Sequence, residues 1–176
     1  ASFVSSEADE LNQAHKLLLP GVGAAKKAMQ NLRDHGLVEF LQSATQPLLG
    51  ICLGMQLLFE FSEEGQVDCL GLLPGTVRSI PQKKGYSIPH MGWNQLQILR
   101  SSSLTQDIPQ KSHVYFVHSY YVELSECCIA STDYHLDMAA IVGNSRVWGC
   151  QFHPERSGSI GTKILENFCK NSERRS

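Results

Sequence analysis

The stretch Gly50-Ile51-Cys52-Leu53-Gly54 constrains this chain more than any other. It follows the apolar run Pro47-Leu48-Leu49 and leads into Met55-Gln56-Leu57-Leu58-Phe59-Glu60-Phe61. The first run reads as a buried strand over 47–51 and the second as a helix start, so the chain has to turn sharply between them. A strand that turns into a helix, with a nucleophile at the apex and glycines beside it, has the form of a nucleophile elbow. Glycines are needed because a tight turn leaves no room for side chains near the nucleophile. A helix N-terminus behind the cysteine favours thiolate over thiol and offers backbone N–H groups to a developing oxyanion. Cys52 is thus a candidate for covalent acyl chemistry. A buried structural cysteine is the bland alternative.

A second motif lies far along the chain, Gln151-Phe152-His153-Pro154-Glu155. His153 can serve as general base, and Glu155 can hold its other ring nitrogen and stabilise the imidazolium. This is triad logic with Cys in place of Ser. A two-residue spacing places both side chains on one face of an extended segment. An isolated His-x-Glu also arises by chance or as part of a metal site. The joint presence of the two motifs, in the order Cys, His, Glu, is far more specific than either one.

With these motifs in view, the sequence resembles the class I (triad-type) glutamine amidotransferases. The matching segments include Leu19-Pro20-Gly21-Val22-Gly23, Gly50 to Gln56, and Gly149 to Gly158. Two others, Pro89-His90-Met91-Gly92-Trp93-Asn94 and Tyr115-Phe116-Val117-His118-Ser119-Tyr120, are similar to the branch that supplies the glutaminase subunits of imidazole glycerol phosphate synthase. The resemblance runs from about Lys16 to Phe168. It implies a flavodoxin-like α/β fold, with a mostly parallel sheet flanked by helices and added antiparallel strands. Family members usually begin with a strand, a glycine-rich turn and a helix. Here Ala1-Ser2-Phe3-Val4-Ser5-Ser6 looks like the second strand of that pattern. The expectation is a single domain over 1–176 with its first βα unit missing and a gap left in the sheet.

The resemblance also implies roles. Cys52 attacks the side-chain carboxamide of L-glutamine, His153 moves the protons, and Glu155 orients His153. Gly21 and Gly23 are expected against the glutamine, and the backbone N–H groups of Val22 and Leu53 in the oxyanion hole. Gln56 is expected to meet the amino-acid end of the substrate, and His118, Ser119 and Tyr120 to lie over the glutamine, the last two mainly through backbone groups. The implied partner is a separate (βα)8-barrel cyclase subunit that receives ammonia through a channel. Met91, Trp93, Tyr115 and Arg156 are expected to face it. Plain readings stand beside these: Gln56 on the surface, His118 as a core histidine, and Met91, Trp93 and Tyr115 as core residues. Two rival functions also stand, another amidotransferase of the superfamily and a non-catalytic binding subunit.

Composition narrows the remaining classes. A net charge of -2 implies no general attraction to nucleic acid. The mildly basic tail Lys170 to Ser176 reads as a solvated terminus. Six cysteines without a CxxC pair make neither a zinc nor a disulfide framework and suit a reducing cytoplasm. No apolar run is long enough for a bilayer span. His15, His35, His90, His113 and His135 lack the neighbours of a metal site, so neither a metal nor an organic cofactor is expected.

Further elements follow from pattern. Leu17-Leu18-Leu19 reads as a buried strand ending in the loop Pro20 to Gly23. A helix is predicted over Ala24–His35, with Ala28, Met29 and Leu32 on one stripe and Gly36 as its cap, and another over Leu37–Ala44. Extended segments are predicted over 76–80, 93–99 and 114–122. A hairpin turns at Gly143-Asn144-Ser145 between 138–142 and 147–152. A closing helix spans Ile160–Cys169.

Overall fold

The computed structural model describes residues 2–170. Ala1 and the rest of the mildly basic tail, from Asn171 onward, lie outside the described residues. The chain opens with a short helix, α1 (Ala8–Leu11), then β1 (Leu17–Gly21), α2 (Ala25–Asp34) and α3 (Leu37–Ser43). The elbow joins β2 (Leu48–Cys52) to α4 (Leu53–Gln56). Short strands follow, β3 (Phe61–Ser62), β4 (Val67–Asp68) and β5 (Thr76–Ser79). Next come β6 (His90–Gln95), β7 (Gln97–Ile98), β8 (His113–His118) and β9 (Tyr120–Val122). Finally β10 (Cys128–Asp133), β11 (Asp137–Gly143) and β12 (Val147–Cys150) lead to α5 (Gly158–Lys170).

Six strands form the main sheet in the order β1-β2-β12-β11-β10-β7. Pairing is parallel from β1 through β2 to β12 and antiparallel beyond. The sheet is covered on both faces. Leu48 of β2 joins a core cluster with Leu17, Met29 and Leu32, while its neighbour Leu49 joins a second cluster with Trp148, Phe152 and Phe168. A strand buried on both faces has no polar side to show, which is why 47–51 reads as an unbroken apolar run. The helix α2 buries the stripe Ala25, Met29 and Leu32, and Gly36 takes the left-handed conformation that ends it (φ 64°).

Three local expectations are corrected. Residues 2–6 form no strand, and Phe3 and Val4 are exposed. Two apolar residues among serines have too little surface to bury. β1 is the outer strand of the sheet and pairs directly with β2, so no gap opens between the described strands. The elbow helix is a single turn and does not reach Phe61. Leu57, Leu58 and Phe59 are buried all round, and their carbonyls accept N–H groups from residues 70–73 instead of from a next helical turn. The predicted extended run 114–122 breaks at Ser119, because β8 pairs with β6 while β9 pairs with β5. That break produces a separate two-stranded ribbon, β6–β8, and a four-stranded sheet, β4-β3-β5-β9.

Candidate active site

Cys52 stands at the end of β2 with φ 55° and ψ −113°, a conformation that side chains rarely adopt. Strain of this kind costs on the order of 1–3 kcal/mol and persists only where the surroundings hold it. Here β2 is locked between β1 and β12, with Gly21 in register with Cys52. The glycines are required by this packing. A Cβ on Gly54 would run into the Leu19 carbonyl, and one on Gly21 would stand 2.8 Å from the Gly54 nitrogen. The elbow is therefore pressed onto β1, and Gly21 lies beneath it rather than lining the cleft.

The histidine arrives from the neighbouring strand. After β12, Phe152 is fully buried and Pro154 begins a 3-10 turn, Pro154–Arg156. The His153 N–H donates to the Tyr115 carbonyl at 2.9 Å, and Ser157 Oγ donates to the His153 carbonyl at 2.6 Å. These bonds clamp the turn to β8. His153 Nδ1 meets Glu155 Oε1 at 2.7 Å. The two side chains meet across this turn rather than along an extended strand. With Nδ1–H given to a carboxylate, Nε2 is left as the proton acceptor.

Cys52 and His153 line one cleft of about 330 Å³. Val22, Gly23, Leu53, Gln56, His118, Ser119 and Tyr120 line it with them, and Glu155 sits behind His153. Glu64 and Pro89 also line it; Pro89 opens the matching segment Pro89 to Asn94 with no role expected of it there, and Glu64 is not flagged by the sequence pattern. Glu64 sits twelve residues past Cys52 without a motif around it. Only the fold returns it to the elbow, where its Oε2 accepts the Ala25 N–H at 2.8 Å.

The thiol is held protonated at rest. Burial pushes the Cys52 pKa up to about 11, the Leu53 N–H opposes this, and the carboxylates of Glu155 and Glu64 reinforce it. The expectation that a helix N-terminus would favour thiolate is corrected. Desolvation outweighs a one-turn helix. The sulfur lies 3.8 Å from the Val117 carbonyl and 4.0 Å from Gln151 Nε2.

Gln56 is buried, not a surface residue. Its amide nitrogen donates to the Tyr120 carbonyl and to Gln151 Oε1, both at 3.0 Å. His118 is a buried histidine and a cleft residue at once. Its Nδ1 bonds the Tyr120 carbonyl at 2.7 Å, and its Nε2 lies 3.0 Å from His90 Nδ1. Burial lowers the His118 pKa to about 3 and that of His90 to about 4, so both rings are neutral.

The other expected surface is on the ribbon. Met91 and Trp93 are 61% and 57% exposed, which removes the core alternative for both. Tyr115 is half-buried, between Trp93 and the turn Pro154–Arg156. The Trp93 ring meets it edge-on at 6.1 Å, and the Arg156 guanidinium stands 4.3 Å over its ring. Among the described residues, no group of three or more His, Cys, Asp or Glu is placed to hold a metal ion. No helix among them is long and apolar enough to cross a membrane.

Known proteins resemble this chain over nearly all of its length. The family model for class-I glutamine amidotransferases matches residues 2–172. The imidazole glycerol phosphate synthase subunit HisH of Xanthomonas euvesicatoria pv. vesicatoria is 50% identical over 169 residues, 96% of this chain and 84% of that protein. The subunit HisH 2 of Legionella pneumophila (strain Paris) is 44% identical over 165 residues, 94% of this chain and 83% of that protein. Among solved structures, a glutamine amidotransferase superposes with a TM-score of 0.67 at 18% identity. That match covers 94% of this chain and 85% of the other, and at such identity it speaks for the fold alone.

Proposed function

The chain belongs to the class-I glutamine amidotransferases, and from that premise we propose that it acts as the glutaminase subunit of an imidazole glycerol phosphate synthase. It hydrolyses L-glutamine to glutamate and ammonia. The observation that carries this reading is the identity of 44–50% to HisH subunits over about 95% of the chain. The cleft that holds Cys52 and the His153–Glu155 pair supports it.

The residues gathered in the cleft support the following chemistry. Cys52 Sγ gives its proton to His153 Nε2 and attacks the carboxamide carbon. The Leu53 and Val22 N–H groups receive the oxyanion. His153 returns the proton to the departing ammonia, then takes one from the water that opens the glutamyl thioester. A thiol with a pKa of about 11 does little until His153 takes its proton as the sulfur attacks the bound carboxamide. Glu64 presents a carboxylate to the α-ammonium group of glutamine. The Gln56 nitrogen is committed to Tyr120 and Gln151, which leaves its Oε1 to meet the amino-acid end of the substrate together with Ser119 and Tyr120 backbone groups.

The ammonia passes to a (βα)8-barrel cyclase partner, where imidazole glycerol phosphate and AICAR form in histidine biosynthesis. The exposed Met91 and Trp93, with Tyr115 and Arg156 beside them, suit that docking face, since Trp, Tyr, Met and Arg are common anchors. The two larger core clusters rest on the one six-stranded sheet, which supports a single domain over 1–176. The free thiols of all six cysteines fit a cytoplasmic setting.

The test is glutamine hydrolysis measured with the cyclase partner and its nucleotide ligand. Cys52→Ala is expected to remove activity on the order of 10⁶-fold, as loss of a hydrolase nucleophile does elsewhere. Glu155→Gln is expected to cost less, up to about 10⁴-fold. Turnover that survives in Cys52→Ala would overturn the mechanism.

A further inference from the structure

The inward side of β6 carries a polar chain that the reaction above does not use. His90 is buried, stacked between Phe116 (centroids 4.7 Å) and Tyr134 (4.1 Å). Its Nδ1 faces His118 Nε2 at 3.0 Å, and its Nε2 faces Asn94 Nδ2 at 3.2 Å. Asn94 Nδ2 also donates to the Asp133 carbonyl at 2.8 Å, and its Oδ1 accepts the Gln95 N–H at 2.7 Å.

The proton positions follow from one fixed end. The Tyr120 carbonyl can only accept, so His118 Nδ1 carries the proton. His118 Nε2 is then an acceptor, which requires a proton on His90 Nδ1. His90 Nε2 is an acceptor in turn and receives Asn94 Nδ2–H. Every donor along this path points the same way, from Asn94 to the Tyr120 carbonyl. Burial keeps both rings neutral, so no second arrangement competes by protonation. The same carbonyl receives Gln56 Nε2, whose other bond leads to Gln151 and so to the Cys52 sulfur. Two side-chain amides, Gln56 and Gln151, therefore link the cleft wall to the nucleophile.

We infer that His90 is a positioning residue: by holding His118 in its Nδ1–H form it orients the Tyr120 carbonyl and the Ser119–Tyr120 wall that receives the amino-acid end of glutamine. His90 touches no substrate and acts through His118. The inference rests on the glutaminase reading for its kinetic test but not for its spectroscopic one.

The kinetic test uses the chain assembled with its cyclase partner. His90→Leu fills the space between the two rings and removes the donor to His118. We expect the KM for glutamine to rise about tenfold, the loss of one buried hydrogen bond, with kcat changed less than threefold. His90→Asn places an amide nitrogen where Nδ1 stood and is expected to restore KM to within about twofold. A merely structural role would lower thermal stability in both variants without this split. The spectroscopic test is ¹⁵N NMR of histidine-labelled wild-type protein, in which His118 and His90 should both show the neutral Nδ1–H form. An Nε2–H signal for His118 overturns the relay even where His90→Leu does not fold. So does a folded His90→Leu with an unchanged KM. Wild-type protein that turns over no glutamine, yet shows both Nδ1–H signals, would sink the functional reading and leave the relay standing.

Discussion

The elbow and the β6–β8 ribbon reach the same cleft and are built on opposite rules. At the elbow every position is decided by contact at short range. Apolar residues point into the core on both faces of β2, and Gly54 exists because the Leu19 carbonyl occupies the place of its side chain. On β6 the usual alternation is inverted. Met91 and Trp93 face outward, while His90 and Asn94 face inward and are joined by hydrogen bonds. An elbow needs a rigid seat for a strained nucleophile, and close packing supplies it. A strand that puts its apolar residues in water and its polar ones inside suits the proposed docking face outside and holds a specified polar contact within. Packing tolerates few substitutions but needs no direction. Hydrogen bonds give direction to a carbonyl, at the cost that each partner must be present.

The contrast can be pressed first on the thiol. With a pKa of about 11, Cys52 is expected to be about 10⁻⁴ thiolate at pH 7. Burial disfavours the charged form, so alkylation by iodoacetamide should rise about tenfold per pH unit toward that value. A plateau already reached near pH 7 would mean the elbow activates its cysteine at rest. The next largest effect is expected from Gly54→Ala. The added methyl meets β1 backbone that has nowhere to move, and overpacking of this sort costs about 1–3 kcal/mol or more. Denaturant unfolding would measure it, and a loss below about 0.5 kcal/mol would show that the elbow is not pressed onto β1. Trp93→Ala addresses the ribbon. Binding to the cyclase partner should weaken by about 1–3 kcal/mol in a titration. The melting temperature of the isolated chain should move by only a degree or two, because the side chain is more than half exposed. The reverse outcome would return Trp93 to the core. The smallest effect is expected from Gly92→Ala. Gly92 has φ 123° but open space around its Cβ position. Strain alone, on the order of 1 kcal/mol, should appear as a modest loss of stability. A loss matching that of Gly54→Ala would erase the distinction between the two regions.

Much of this is legible in the residues. Strand 47–51, the helices around Met29 and Leu37, the hairpin at Gly143-Asn144-Ser145 and the closing helix all have local signals that the structure keeps. β10 has none that stands out. Residues 128–132 are all buried, so no alternation appears, and the adjacent cysteines 127 and 128 are their main mark in the sequence. The elbow helix reads longer than it is because Leu57 to Phe59 are apolar in any conformation, and segment 70–73 captures their carbonyls. Within the site, Cys52, His153 and Glu155 stand in motifs. Glu64 stands in none, and the cleft position of Pro89 and the inward bonds of His90 are not legible in theirs, since each acquires its neighbour only when distant segments meet.

Local sequence determined the strained position of Cys52, its glycine-lined turn and the His153-Pro154-Glu155 segment, because tight turns and short spacings limit what a backbone can do. Tertiary structure decided the rest. It set the thiol's protonation, because that depends on how much water the surrounding segments exclude. It turned Trp93 outward and His90 inward, because the face of a strand is assigned by what packs against it. It also joined Asn94 to the Tyr120 carbonyl through two histidines 28 positions apart, a path that depends on β6 and β8 lying side by side.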